Sequence, residues 1–333
     1  MNYRKFFPLL LAGVFVESTK DIPVYLAMRQ NNIDVLERHL YEISNPLSYK
    51  YGTVLSKSEI RNIIEPSYLE QQEVLQWLYK NGVYRVKNYG DSMRFLASQE
   101  KIKQLFSISS LTDRETDKLL GYTIPHHLSN IIEFVEMYHN EKNTRQAKIG
   151  VQNTIFGPLQ RSSDTDDRFF ARESLMRMYN VSSESISQDV VGVLAEFQSN
   201  GGFSPQDLTI HQAVNGQDKN PVTRVVGGNI GIDVESVLDV QMMSQAGNGM
   251  DIWFWDSPYW LYAFAVDYFN SQNIGDIVSM SWGWSEDSQC DIVDCSAGLT
   301  SQKYVERVNN EFLKIRNKFK KRRQLFVGKG TAS

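Results

Sequence analysis

The sequence predicts two units in tandem: an α+β unit with a small split sheet, then an α/β unit with a mostly parallel sheet. Three observations carry that reading. Between Val24 and Ala97, short alternating runs are interleaved with helix-capping signals, the mark of a sheet backed by helices. From Glu141 to Arg172 the chain turns polar, with breaks at Gly150 and Gly157-Pro158 and a solvated, cleavable run at Ser162–Asp167. Beyond it, Val190–Ala195 is an unbroken apolar run, which suits a parallel strand buried on both faces. At 333 residues, 41% hydrophobic and 22% charged, the chain has room for two cores.

In the first unit, residues 19–140, Val24–Arg29 reads as a strand starting just after Pro23. Leu36, Leu40 and Ile43 mark one helix face. Ser56 with Glu59, and Ser67 with Glu70, have capping-box spacing and open two further helices. The second carries Val74, Leu75 and Leu78 and stops at Gly82, a C-cap signal. Val83–Tyr89 and Met93–Ala97 alternate as strands, joined by the turn residues Gly90 and Asp91. These patterns hold no chemistry of their own, and a stand-alone ferredoxin-like binding domain would show them too.

The second unit, residues 173–333, continues from Val190–Ala195 to Glu196, at the carboxyl end of the strand where sites assemble in such sheets. Ser204-Pro205 and Asp207 cap the helix that follows. Val234, Val237, Leu238 and Met242 form the apolar stripe of a central helix. Asp251–Trp255, Trp260–Phe269 and Asp276–Ser281 then read as strand, helix and strand, and Gln324–Val327 as a last strand.

Composition excludes several functions. A net charge of −4 leaves no basic face for nucleic acid. Lys314–Arg323 is basic, but it ends a helix, where cations are favoured. The five histidines (His39, His126, His127, His139, His211) show no helical metal-ligand spacing and read as structural, so no metal or cofactor is expected. Cys290 and Cys295 allow one small loop disulfide rather than a framework. Arg4 and Lys5 precede the apolar run Phe6–Val16, which is too short to cross a bilayer. It reads as a secretory signal over residues 1–18, the alternative being an amphipathic first strand, and no transmembrane segment is expected. Export agrees with the sequon Asn180-Val-Ser182 and with the cysteine pair.

One pair of acids stands out. A glycine-rich lead-in at Gly228–Gly231 opens onto the central helix, on which Glu235 and Asp239 sit four residues apart. On a helix such residues are neighbours, with Cβ atoms roughly 5–6 Å apart, and two like charges there cost stability. Two acids on a wet face therefore gain nothing. An enzyme gains something: the outer carboxylate orients the inner one, which acts as general base.

The run Glu235-Ser-Val-Leu-Asp239-Val-Gln241 resembles the E-A-x-L-D-x-Q signature of the sedolisins, or serine-carboxyl peptidases, and is most similar to their tripeptidyl peptidase I branch. The resemblance runs from about residue 24 to about residue 327. Ser44-Asn-Pro-Leu-Ser-Tyr-Lys-Tyr-Gly52, with Leu55, Ser56 and Glu59, is similar to the S-x-P-x-S-x-x-Y-G-x-x-L-S-x-x-E of the family's activation domain. Pro66-Ser67, Trp77-Leu78 with Gly82, and Tyr122-Thr-Ile-Pro125 with His127-Leu128 resemble its later motifs. Leu175–Tyr179 loosely resembles the start of the mature chain, and Ser279-Met-Ser281-Trp282-Gly283 resembles its S-x-S-[YW]-G strand end.

The resemblance implies a ferredoxin-like pro-domain over 19–140, a processing linker over 141–172 and a subtilisin-like peptidase domain over 173–333. It implies a zymogen sent to a lysosomal, vacuolar or extracellular space, with peptide or protein substrates and its own pro-domain as partners. Glu235 would be the base, Asp239 its orienting partner, and Ser281, Trp282 and Gly283 the segment that pairs with substrate. Glu196 is either a supporting carboxylate or a surface glutamate at a strand end. A carboxylate base suits acid, because a histidine with a pKa of about 6.5 is protonated at pH ~4 while a glutamate near about 4.3 is not. Whether such an enzyme trims tripeptides or cuts internally stays open. The sequence departs from the family after Val327, where Thr331 stands roughly in place of the oxyanion aspartate. The nucleophile's G-T-S-x-x-x-P and the family's calcium loop would lie further on, and Ser333 has no such context. The 333-residue chain is therefore expected to have no peptidase activity, whether as a fragment or as a truncated homologue whose pro-domain binds a related peptidase.

Overall fold

A computed structural model describes residues 21–108, 121–137, 172–182, 189–197, 201–257, 259–318 and 324–327. The predicted signal, residues 141–171 of the predicted linker, His139, Thr331 and Ser333 lie outside the described residues.

The first unit is built on a four-stranded antiparallel sheet, β1 (Ile22–Met28), β2 (Val86–Asn88), β3 (Ser92–Ala97) and β4 (Ile132–Met137), in the order β2-β3-β1-β4. Four helices connect it: α1 (Ile33–Ser44), α2 (Lys57–Ile64), α3 (Tyr68–Lys80) and α4 (Gln99–Phe106). Both predicted capping boxes form. Ser56 and Ser67 accept from the backbone N–H of Glu59 and Glu70, whose carboxylates reach back to the cap N–H groups at 2.7 and 2.8 Å. Gly82 ends α3 with φ of +81°. The strand predicted at Val83–Tyr89 is shorter, because only Val86–Asn88 pairs with β3.

The second unit is a five-stranded parallel sheet of β5 (Val191–Glu196), β6 (Val222–Val226), β7 (Asp251–Asp256), β8 (Ile277–Met280) and β9 (Gln324–Val327). Its order is β6-β7-β5-β8-β9, connected through α6 (Pro205–Val214), α7 (Val234–Ala246), α8 (Leu261–Asn270) and α9 (Ser301–Lys318), with α5 (Arg172–Met178) ahead of β5. Gly227, with φ of +82°, follows β6 where a Cβ would stand 2.0 Å from the carbonyl oxygen of Asp256. No other residue lets the two strand ends approach so closely. Cys290 and Cys295 form the expected small-loop disulfide, with Cα atoms 5.4 Å apart.

The two sheets share a core. Residues of β1 alternate: Val24, Leu26 and Met28 pack on α3 and α4, whereas Tyr25 and Ala27 join a cluster with Tyr262, Phe264 and Tyr304 of α8 and α9. A strand buried on both faces explains its near-continuous apolar run. Charges are buried along this seam as well. Lys314 lies 2.6 Å from Asp91 and 2.5 Å from Glu311, and Arg307 lies 2.7 Å from Glu133 and 3.1 Å from Glu311. Lys314 and Glu311 are 0% exposed and Asp91 2%. Asp91 keeps its predicted place in the turn between β2 and β3 and is also an interior ion partner, while Lys314, predicted as part of a basic helix end, is buried. Glu136 of β4 crosses the seam too, accepting from Tyr304 Oη at 3.1 Å and from the backbone N–H groups of Trp260 and Ala263. It thereby serves α8, whose own N-cap residue, Trp260, offers no capping side chain.

Two outcomes are expected. Removing one member of a buried ion network leaves the others uncompensated at a cost of about 3–5 kcal/mol. Lys314→Met should lower stability by that amount in urea unfolding. Burial pushes Glu136 up to about 8 from its ordinary 4.5, so folding favours its protonated form. Its contribution is complete below pH 4.5 and is lost as the pH rises through 8. Glu136→Gln should match the wild type near the lower limit and exceed its stability at the upper one, and parallel loss in both proteins would refute this. Asp91 runs the other way: burial raises it, but Lys314 and Arg307 outweigh that, so its contribution fades in acid.

Candidate active site

The carboxyl ends of β5, β7 and β8 lie side by side, with Glu196 in register with Asp256. The N-terminus of α7 stands over them, fixed by Asp233. Its Oδ1 accepts from Ser236 N at 2.9 Å and caps the helix, while its Oδ2 accepts from Gly202 N at 2.8 Å and ties in the loop after β5. The helix buries only part of the stripe that its spacing predicts. Val234 is 83% and Leu238 48% exposed, while Ser236, Asp239, Val240, Ser244 and Gln245 face inward. A polar inner face on a helix covering a strand end needs polar partners, and it finds them.

Ser281 Oγ, just past β8, donates to Asp239 Oδ1 at 2.8 Å, and Trp282 Nε1 donates to Glu196 Oε2 at 2.8 Å. The other two oxygens, Glu196 Oε1 and Asp239 Oδ2, receive no N–H or hydroxyl donor. The two carboxyls instead hydrogen-bond each other. Two acceptors bond only through a proton, so the pair retains one. Burial first, and then Asp239, hold Glu196 up to about 9, while burial raises Asp239. Glu196, 0% exposed, is therefore an interior carboxyl and not a surface residue.

Glu235 stands in the first turn of α7, half-buried, raised by burial and then by Asp239 and Asp233. The sequence thus brings Glu196, Asp239, Ser281 and Trp282 into one connected chain, with Glu235 one helical turn before Asp239. The side chains of Ser281 and Trp282 serve the carboxyls. Gly283 follows them after the strand has ended. Asp256 was missed. It closes β7, accepts from Gly228 N at 3.3 Å, and burial pushes it up to about 7. Its position at a strand's carboxyl end was the signal that could have found it. Among the described residues, no group of three or more His, Cys, Asp or Glu is placed to hold a metal ion. Asn180 is exposed, with φ of +52°.

Comparison with known proteins finds similarity over most of the chain. Residues 14–140 match the pro-kumamolisin activation domain. Physarolisin of Physarum polycephalum is 29% identical over 307 residues, covering 88% of this chain and 51% of its own. The similarity to these sedolisin-family proteins extends over most of the chain. Tripeptidyl-peptidase 1 of Dictyostelium discoideum is 24% identical over 343 residues, with 88% of this chain and 54% of the relative covered. The Homo sapiens protein of that name is 22% identical over 330 residues, with 89% and 54% covered. The chain spans about half the length of these curated relatives.

The shared proton has a direct readout. The neutral-carboxyl infrared band at pH 7, to which Glu136 also contributes, should lose one group's intensity in Glu196→Gln. A band unchanged by that substitution would remove the proton from the pair.

Proposed function

We propose that this sequence is part of an acid-active serine-type peptidase made as a zymogen, in which Glu235 is the general base and Asp239 orients it. The observation that carries the reading is the chain Ser281–Asp239–Glu196–Trp282, anchored at the adjacent carboxyl ends of β5 and β8 and on α7, the helix that also carries Glu235. A base must be held still, and it works best when its pKa lies near the operating pH. Glu235 is raised from 4.5 but only half-buried, which leaves it able to accept a proton in mild acid. The retained proton on Glu196 and Asp239 keeps the interior at one net charge rather than two. Glu235 takes a hydroxyl proton and later returns it to the leaving amine. That hydroxyl and an oxyanion donor lie outside the described residues.

The remaining assignments rest on the same reading. The β2-β3-β1-β4 order supports a ferredoxin-like activation unit, and the parallel sheet with its site at the carboxyl ends supports a subtilisin-like one. The backbone at Ser281–Gly283 pairs with an extended peptide substrate. The Cys290–Cys295 disulfide and the exposed Asn180 sequon support passage through an oxidising secretory route, with glycosylation at Asn180, to a lysosome-like, vacuolar or extracellular space. A second reading is favoured by the first unit's own core around Val24, Phe95 and Phe106: this unit, supplied separately, binds and inhibits a related peptidase.

In the full-length gene product, Glu235→Ala should reduce kcat on a peptide at pH ~4 by about 10²–10⁴, with KM little changed. Wild-type turnover in that variant would sink the assignment.

A further inference from the structure

Away from the carboxyls, an open groove of about 640 Å³ is lined by Ser56, Lys57, Ser58, Arg61, Asn62 and Glu65. Its cations reach across the seam to the C-terminal end of α8. Lys57 Nζ donates to the Asn270 carbonyl oxygen and Arg61 Nη2 to Asn270 Oδ1, each at 3.1 Å, and Lys318 Nζ donates to the Phe269 carbonyl oxygen at 3.0 Å. The ammonium groups of Lys57, Lys314 and Lys318 also surround the Phe269 ring at 5.8, 4.9 and 5.3 Å.

Four cations thus converge on one helix end. Lys314 is neutralised by Asp91 and Glu311. Among the described residues, neither Lys57 nor Arg61 has an ion pair, although Glu65 lines the same groove. The helix terminus offers only about half a negative charge, spread over its last carbonyls. Two further observations show that this is not enough. Arg61 Nε is buried without an acceptor. Lys57 is depressed to about 8, by burial first and then by Arg61, Lys318 and Lys314. Burial and the neighbouring cations act in the same direction on that lysine.

We infer that this groove binds a small multivalent oxyanion, phosphate or sulfate, free or as the head of a larger molecule, through Lys57 and Arg61. Arg61 supplies its unused Nε–H, and Ser58 and Asn62 add neutral donors at the rim. Charge-assisted bonds of this kind are the strong ones, and an arginine fork suits an oxyanion. Because α2 belongs to the first unit and Asn270 to the second, a bound anion would relieve the repulsion among cations that hold the two together. Anion binding therefore tightens the seam.

The test uses the chain as it stands. Titrating sodium phosphate against sodium chloride at matched ionic strength should give a saturable rise in melting temperature of about 2 °C or more with phosphate only. The rise should vanish in Lys57→Met/Arg61→Met. That double variant also loses two bonds to Asn270, so Asn62→Asp supplies a milder arm: this exposed residue adds a negative charge to the lining and should weaken phosphate about tenfold. Phosphate should also raise the NMR-titrated pKa of Lys57 above about 8. Glucose 6-phosphate and phosphoinositide vesicles separate the sources. Tighter binding of either than of free phosphate assigns that head group, and equal binding assigns the free ion. A phosphate response no larger than chloride's, or one that Asn62→Asp leaves intact, overturns the inference.

Discussion

Lys314 has no exposed surface, and its ammonium lies between the carboxylates of Asp91 and Glu311. Burying an ion costs several kcal/mol unless its partners are close and well aligned. The seam between the two sheets is therefore held in one register by directional contacts. Apolar contacts alone would tolerate sliding, because burial of area is not directional. The ion cluster does not. It sets the position of α9, against which α8 packs, and α8 leads straight into β8. The placement of Ser281 and Trp282 thus depends on a charge network contributed partly by the other unit.

The candidate site obeys the same constraint with opposite chemistry. At the seam, Asp91 is matched by Lys314 and Arg307, which outweigh the effect of burial and hold it below the ordinary carboxylate range. At the strand ends, Glu196 and Asp239 have no cation, so they keep a proton and share it. Both are answers to one cost, the desolvation of a carboxylate. The proton-sharing answer leaves the group sensitive to pH and to its neighbours, which suits chemistry. The ion-paired answer resists change, which suits a hinge-free interface. Four raised acids, Glu196, Glu235, Asp239 and Asp256, gather at the carboxyl ends of the parallel sheet, as functional sites tend to show.

Much of the local structure was legible in the sequence. Ser56 with Glu59, Ser67 with Glu70, Gly82, and Ser204-Pro205 were read correctly because capping depends on a few adjacent residues. Strand Val190–Ala195 was read because burial on both faces leaves an unbroken apolar run. Helix α7 was read as a helix, but only part of its predicted stripe turns inward: Val237 packs on the core while Val234 and Leu238 are exposed. Its apolar residues were assigned inward by rule, whereas the strand ends beneath it present Glu196, Ser281 and Trp282, so much of the inward face is polar.

The same distinction separates what the chain encodes locally from what folding adds. Spacing alone set Glu235 and Asp239 on one helix, and Glu196 and Ser281 at strand ends, because helix and strand periods are properties of the backbone. Spacing could not show that Glu196 and Asp239 share a proton, that the turn residue Asp91 is buried, or that Lys314 lies in the interior. Each of those facts depends on a partner between 43 and 223 positions away in the sequence, a separation closed only when the two sheets pack. Burial then sets the electrostatics, because the cost of a charge depends on what surrounds it in space.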